Sequence, residues 1–285
     1  MSRPLRMRAA ALLGLLMAAM GQAAETPRVA SINACTDQLA LKLANPGQVV
    51  TVSEYGRSPA FSYMAEEARD YPVNHGYAEE VLAHDPDLVL AGPYTNQATM
   101  DRLEALGYRV VTVPSPDTFP GIRDNLRKVA ELLGHPERGE RLIAGMDRTL
   151  EAVAQRLPPP GERIRALALR PNGVTVGKGS LLDTIMAKAG LRNVGRELGA
   201  GSYSEVPLEH LVDTQPDMLI LAAFAASQPS LAQGVMHHPV FAALDTERPP
   251  MWLPGRLWSC GGWFNAEAVA QLAEHAYGIR IDSEE

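Results

Sequence analysis

The stretch from Pro136 to Leu157, PERGERLIAGMDRTLEAVAQRL, limits the fold more than any other part of the chain. Leu142, Met146, Leu150, Val153 and Leu157 recur at intervals of four and three, so a helix here carries one apolar stripe that must lie against something. Pro136 suits a first helical turn, Glu137 and Glu140 lie near the positive end of the helix dipole, and Pro158-Pro159-Pro160-Gly161 forbids continuation. Such a helix would be about 33 Å long at 1.5 Å per residue, close to the diameter of a small domain. It could bridge two globular units, although an amphipathic helix inside one domain satisfies the same pattern.

The flanking sequence decides between these. Arg3, Arg6 and Arg8 precede an apolar run from Ala9 to Met20, and small residues follow at Gly21, Ala23 and Ala24. This is the pattern of a secretory signal peptide over residues 1–24, with cleavage expected after Ala23 or Ala24. The run falls short of the about 20 apolar residues that a permanent anchor needs, and no lipobox cysteine follows it. A soluble protein exported to the periplasm is therefore expected. Losing three arginines takes the formal charge from minus 7 to minus 10, which disfavours nucleic acid and anionic lipid as partners. About 260 residues remain, enough for two units of roughly 120, each with its own core.

Short apolar runs alternate with helical stretches on both sides of the long helix. Strands are expected at 29–32, 49–52, 88–90 and 109–113, with helices at 36–44, 78–84, 97–106 and 120–133. Beyond the long helix, strands are expected at 164–169, 173–176, 218–221 and 251–253. Helices are expected at 181–189 and 208–212, and a last one capped by Asn265 and ended by Gly278. Strands separated by helices imply parallel sheets covered on both faces. The halves also echo each other. Glu79 to Ala91, EEVLAHDPDLVLA, matches Glu209 to Leu221, EHLVDTQPDMLIL, each with Pro-Asp breaking a helical turn before a buried strand. The expected fold is thus α/β: two Rossmann-like lobes with parallel sheets, 25–135 and 158–285, joined by one spanning helix over 136–157.

This arrangement resembles the periplasmic substrate-binding proteins of ABC importers for iron complexes and cobalamin, over residues 27 to 280. The pieces carrying the likeness are Glu79 to Ala91, LEALGYRVVTV from Leu103 to Val113, Asn125 to Met146, and TVGKGS from Thr175 to Ser180. The resemblance implies a monomer that holds a guest containing iron or cobalt in the interlobe cleft and passes it to a membrane permease. It places Glu79 and Glu209 where such proteins dock onto permease arginines, although both also read as solvated carboxylates near helix starts. Tyr55, Tyr203 and Trp258 match aromatic pocket positions of the cobalamin-binding member. Asn74-His75 and Val174 depart from it, since that member has aromatic residues there. Arg57, Arg170, Lys178 and Arg256 would suit an anionic ferric siderophore, and His75, Tyr55 and Tyr203 could serve as axial ligands to haem iron.

Each of these residues has an ordinary alternative. A loop tyrosine is more often packing than ligand, Trp252 in an apolar strand reads as core, Trp263-Phe264 could staple the last helix, and Arg57 and Arg256 could be surface charges. Cys35 and Cys260 precede the first and last helices on the expected cleft side. A disulfide between them would tie the lobes, with two buried thiols or a redox or metal role as alternatives. A catalytic cleft is disfavoured. GVTVGKG from Gly173 to Gly179 is one residue short of a phosphate loop and lacks Ser or Thr after its lysine, and neither a Gly-x-Ser-x-Gly elbow nor a His-Glu-x-x-His helix occurs. His237-His238 lacks carboxylate or thiol partners at zinc spacing. A bare-metal receptor of similar architecture would draw on His75 and His210.

Overall fold

The computed structural model describes residues 26–170, 173–207, 210, 213–223, 246 and 248–281. Its first sheet is formed by β1 (Val29–Ser31), β2 (Val49–Ser53), β3 (Val73–Asn74), β4 (Leu88–Ala91) and β5 (Val110–Thr112), all parallel, in the order β3-β2-β1-β4-β5. Helices α1 (Ala34–Leu43), α2 (Ala78–Leu82), α3 (Gln97–Ala105) and α4 (Phe119–Leu132) cover it. The two-residue period of β4 sorts its side chains between two cores. Leu88 and Leu90 pack with Leu39, Phe119 and Leu126 of α1 and α4, whereas Val89 and Ala91 pack with Val81, Met100 and Leu103 of α2 and α3.

The second sheet is built from β6 (Arg165–Arg170), β7 (Val174–Thr175), β8 (Arg192–Asn193), β9 (Ser204–Glu205), β10 (Met218–Ala223) and β11 (Met251–Pro254). Its order is β11-β10-β6-β7-β9, with β8 also beside β6. It carries α6 (Leu181–Lys188), α7 (Val194–Glu197) and α8 (Asn265–Tyr277). This sheet is mixed, not wholly parallel as the alternation suggests, because β7 runs antiparallel to β6 and β9. The physical reason is length. So short a connection between β6 and β7 can close a hairpin, whereas a parallel return needs a crossover of about a dozen residues.

Between the lobes lies α5 (Pro136–Ala154), packed against α4 on one side and α8 on the other. It buries Gly139, Ile143, Met146, Leu150 and Val153. These join residues of both sheets in one core that extends from Val29 to Ile279. The helix is one turn shorter than the sequence suggests, about 28 Å. A residue before proline is pushed out of helical geometry, and with prolines from 158 onward the helix has already ended when the chain reaches Leu157. Leu157 instead closes on Gly190, where a Cβ would meet its side chain at 2.7 Å.

Among the described residues, the Pro-Asp part of the echo between halves is a repeat in three dimensions. Asp85 and Gln215 are the two non-glycine residues with positive φ among the described residues, at 44° and 42°, and each precedes Pro-Asp. Asp87 then accepts a hydrogen bond from the Arg28 N–H (2.8 Å) and Asp217 from the Arg165 N–H (2.7 Å), so each aspartate clamps the start of its lobe's central strand. Asn265 does not cap α8, since Phe264 holds that position. Its amide accepts from Gly262 N–H and donates to the carbonyls of Leu257 and Cys260, which fixes the loop before the helix.

Helices α4 and α5 pack tightly at Gly139, where a Cβ would stand 2.7 Å from Ala130 Cβ and 3.1 Å from the Leu126 carbonyl oxygen. Glycine inside a helix ordinarily costs about 1 kcal/mol against alanine, so replacing it should stabilise unless the neighbour is too near. Here Gly139→Val should destabilise by about 1–3 kcal/mol, read from the urea midpoint. A higher midpoint would refute the close crossing.

Candidate functional site

In open parallel sheets the loops leaving the carboxyl ends of the strands face the binding crevice. Those of the first lobe here are Asn33–Cys35 after β1, the 3₁₀ turn Glu54–Arg57 after β2, Gly92–Asn96 after β4 and Pro114–Pro116 after β5. The second lobe presents Arg170 at the end of β6 and the stretch from Gly255 to Phe264 after β11.

A laced seam joins these loops. Cys35, in the first turn of α1, is bonded to Cys260, with Cα atoms 5.3 Å apart. Gly261 lies so near Pro116 that a Cβ would come within 2.4 Å of its ring. Ser259 Oγ donates to the Phe61 carbonyl at 3.1 Å. The Tyr63 ring stacks on Phe264 at 5.0 Å, meets Trp263 edge-on at 6.0 Å, and its hydroxyl donates to Glu267 at 2.8 Å. Burial, with Glu267 beside it, pushes the Tyr63 phenol up to about 12 and keeps it a donor.

The predicted ligand residues fall into two groups. Arg170, Tyr203 and Trp258 form one cluster, and Tyr55 packs on Phe61, whose carbonyl accepts from Ser259 beside Trp258. Tyr55 is 54 % exposed, with its ring edge-on to Phe61 at 5.9 Å. The Arg170 guanidinium lies 4.6 Å from the Tyr203 ring and 4.9 Å from the Trp258 ring, so one cation is held between two aromatic faces. Burial lowers its pKa, which leaves it a charged group with little hydration. Tyr203 is 56 % exposed. Trp258 is 3 % exposed and donates its indole N–H to Leu253 O, so it is the floor beneath Arg170 rather than an open cleft surface.

Arg57 and His75 are engaged elsewhere. The Arg57 guanidinium donates to the carbonyls of Ala68, Arg69 and Tyr71, pinning the Glu67–Asp70 turn, whose terminal carbonyls lack helical partners. The exposed His75 ring is 2.9 Å from Glu80 Oε1 through Nδ1, and the His75 backbone N–H donates to Oε2 at 2.6 Å. The Glu80 hydrogen bond raises the imidazole pKa and favours the imidazolium, a form that cannot ligate a metal. Glu79 is exposed in the first turn of α2 beside this pair. Glu209, His237, His238 and the segment 1–24 lie outside the described residues. Among the described residues, no three His, Cys, Asp or Glu side chains converge as a metal site, and no helix is long and apolar enough to cross a membrane.

Tyr94 was not singled out from the sequence. It is 88 % exposed. Thr95 N–H donates to Gly92 O (3.1 Å) and Gly92 N–H donates to Thr95 Oγ1 (2.9 Å), so a rigid Gly-Pro-Tyr-Thr turn holds the ring out at the end of β4. Proline at the second position of that turn was the available signal. Beside Tyr94 a recess of about 30 Å³ opens between Asn33, Pro116, Asn125 and Gly261. It admits a water or two, so a guest of any size must lie across it.

Two α/β lobes held by one helix, with exposed rings and a half-buried cation on the loops between them, define a two-lobed solute-binding protein. Residues 29–248 match the model of the periplasmic binding protein family, and the chain belongs to that family. A cobalamin-binding protein of Halobacterium salinarum is 24 % identical over 70 % of this chain, which spans about half of that longer relative (55 %). A vitamin B12-binding protein of Vibrio campbellii is 24 % identical over 89 % of this chain and 90 % of its own. Among solved structures, the apo periplasmic heme-binding protein RhuT of Roseiflexus sp. RS-1 superposes with a TM-score of 0.72 at 22 % identity, covering 89 % of this chain and 99 % of that one.

Two outcomes test this geometry. Thiol titration of the denatured, unreduced protein should find no free thiol, and reduction should lower stability to unfolding by about 2–5 kcal/mol. Glu80→Gln should bring the His75 titration down towards that of an ordinary imidazole in NMR spectra, and an unmoved midpoint would mean the pair does not form in solution.

Proposed function

We propose that this chain is the periplasmic solute-binding component of an ABC importer, exported by its amino-terminal signal. It captures a chelate of iron or cobalt (ferric siderophore, haem or corrinoid) in the interlobe cleft and delivers it to the permease. The observation that carries this reading is Arg170 between Tyr203 and Trp258, with the exposed rings of Tyr55 and Tyr94 on neighbouring loops. Exposed aromatic rings offer large contact area at little cost in side-chain entropy. A guanidinium stripped of part of its water binds a carboxylate more strongly than a solvated one does. Together they fit a conjugated guest bearing anionic groups. The relatives named for cobalamin and vitamin B12 and the neighbour named for heme support the same guest class. Glu79 and Glu209, in equivalent positions of the repeat, are assigned to docking on the permease.

Thermal-shift screening against haemin, cyanocobalamin and a panel of ferric siderophores tests this directly. A specific guest at one hundred times its Kd should add about 2.7 kcal/mol of stability. No response to any of them removes the guest class. For the guest that binds, Arg170→Gln should weaken affinity by roughly ten- to a hundredfold if it carries carboxylates, the range expected for a lost charged hydrogen bond. Glu79→Ala should leave affinity unchanged and slow uptake in cells.

A further inference from the structure

One buried acid has no part in the site as described so far. Asp37 lies in the first turn of α1 and is fully buried. Both of its carboxyl oxygens accept the Ser53 N–H, at 3.1 and 3.2 Å, and Oδ2 lies 2.5 Å from the Ser53 hydroxyl. The Ser31 hydroxyl, paired with Thr36 Oγ1 at 2.8 Å, is a neighbouring dipole that favours the ionised form. The turn Glu54–Arg57 rests directly on this carboxyl, since a Cβ at Gly56 would stand 2.6 Å from Oδ2. One side chain of α1 thus gathers the end of β2 and the turn that presents Tyr55.

The elements around Asp37 supply no countercharge. Neither β1 nor β2 carries a charged residue. On the 54–57 turn, Glu54 is exposed and Arg57 is spent on the carbonyls of 68, 69 and 71. Glu67, Arg69 and Asp70 of the next turn are exposed, and so is Glu66, which pairs with Arg69. On α4, Arg123 pairs with Asp147 and Arg127 with Glu140, Lys128 donates to Thr112 O, and Asp124 and Glu131 are exposed. Lys42 of α1 lies over Trp263. An ionised Asp37 would therefore be a buried anion held by hydroxyls and one N–H alone. Burial pushes its pKa up to about 7, with the Ser31 and Ser53 hydrogen bonds pulling the other way.

We propose that Asp37 is the positioning residue of the cleft: protonated, it latches the Glu54–Arg57 turn and the Tyr55 ring onto α1 and the end of β2, and ionised, it lets water in and frees them. The contacts of the latch are seen in the structure and its pH dependence follows from burial without a countercharge, while its effect on the guest rests on the cleft reading above. Because folding raises the pKa, the stability it contributes is complete below the ordinary carboxylate range and is lost as pH rises through about 7.

Hydrogen–deuterium exchange of the amides from Ser53 to Ser58, corrected for intrinsic exchange rates, tests the latch without any guest. In the wild-type protein opening should increase several-fold between pH 5.5 and 8.5. Asp37→Asn, which keeps an acceptor for Ser53 but cannot ionise, should hold the turn closed at both pH values. Ser53→Ala, which removes a hydroxyl that stabilises the anion, should shift the transition to higher pH. A flat wild-type profile, an Asn variant that follows the wild type, or an unmoved transition in Ser53→Ala each overturns the proposal, and the serine variant decides alone if Asp37→Asn does not fold. Affinity for whichever of haemin and cyanocobalamin binds should fall several-fold over the same pH range, and not in Asp37→Asn. If neither binds, the cleft reading fails while the exchange data still judge the latch.

Discussion

The contact on which the rest of the molecule depends is the packing of α5 between α4 and α8. A linker of flexible chain would leave the lobes free to adopt many separations. Here the interlobe segment is a helix whose buried face, from Gly139 to Val153, belongs to the same core as both sheets. Swinging one lobe away would strip apolar surface from that core, at about 25 cal/mol for each Å² exposed to water. The relative placement of the lobes is therefore a property of the core and not of a hinge. Gly139 shows how close the fit is, because the approach of α4 leaves no room there for a single added carbon.

The seam through Cys35 and Cys260 adds a second constraint, far along the sequence from the first. The bond joins residues 225 positions apart, and the rings of Tyr63, Trp263 and Phe264 close over the same boundary. A helix alone fixes distance but leaves some twist. A helix with a bonded seam fixes both. Exposed rings at Tyr55, Tyr94 and Tyr203 thus stand on loops whose own anchors are rigid: the carboxyl of Asp37, the Gly92–Thr95 turn and the guanidinium of Arg170.

Much of this was legible in the sequence, and the misreadings share a cause. The stripe on α5, the proline stop, the alternation of strand and helix and the Pro-Asp echo are periodic or steric signals, and local sequence suffices to read them. Pro-Asp proved more informative than it looked, since in both lobes the aspartate clamps the first strand after a strained residue. The cap expected at Asn265 was misplaced, and the contacts of Arg57 and Trp258 were not legible, because residue type does not reveal a partner. A guanidinium near a cleft satisfies three turn carbonyls as well as it would a carboxylate, and an indole in a loop can turn inward when a carbonyl such as Leu253 O waits for its N–H. Asp37 gave no signal for a related reason. An acid in a first helical turn reads as a favourable dipole contact, and only the approach of β2 and the following turn removes it from water.

On the proposed reading, a receptor tied at two places meets a different energetic problem from one that closes on its guest. Little of the binding energy goes into ordering the lobes, so a modest set of rings and one weakly hydrated cation can suffice for tight capture. The same rigidity would remove the usual exit route, because a cleft tied at both places would not release a guest by swinging open. Release then has to act on the loops themselves. The loop after β2 is the most sensitive to its surroundings, since the group beneath it is an acid without a countercharge. On the proposed reading, a rise in pH that ionises Asp37 would loosen Tyr55 without breaking the core or the seam. The lobes would stay where α5 holds them, and the guest would lose one wall of its site.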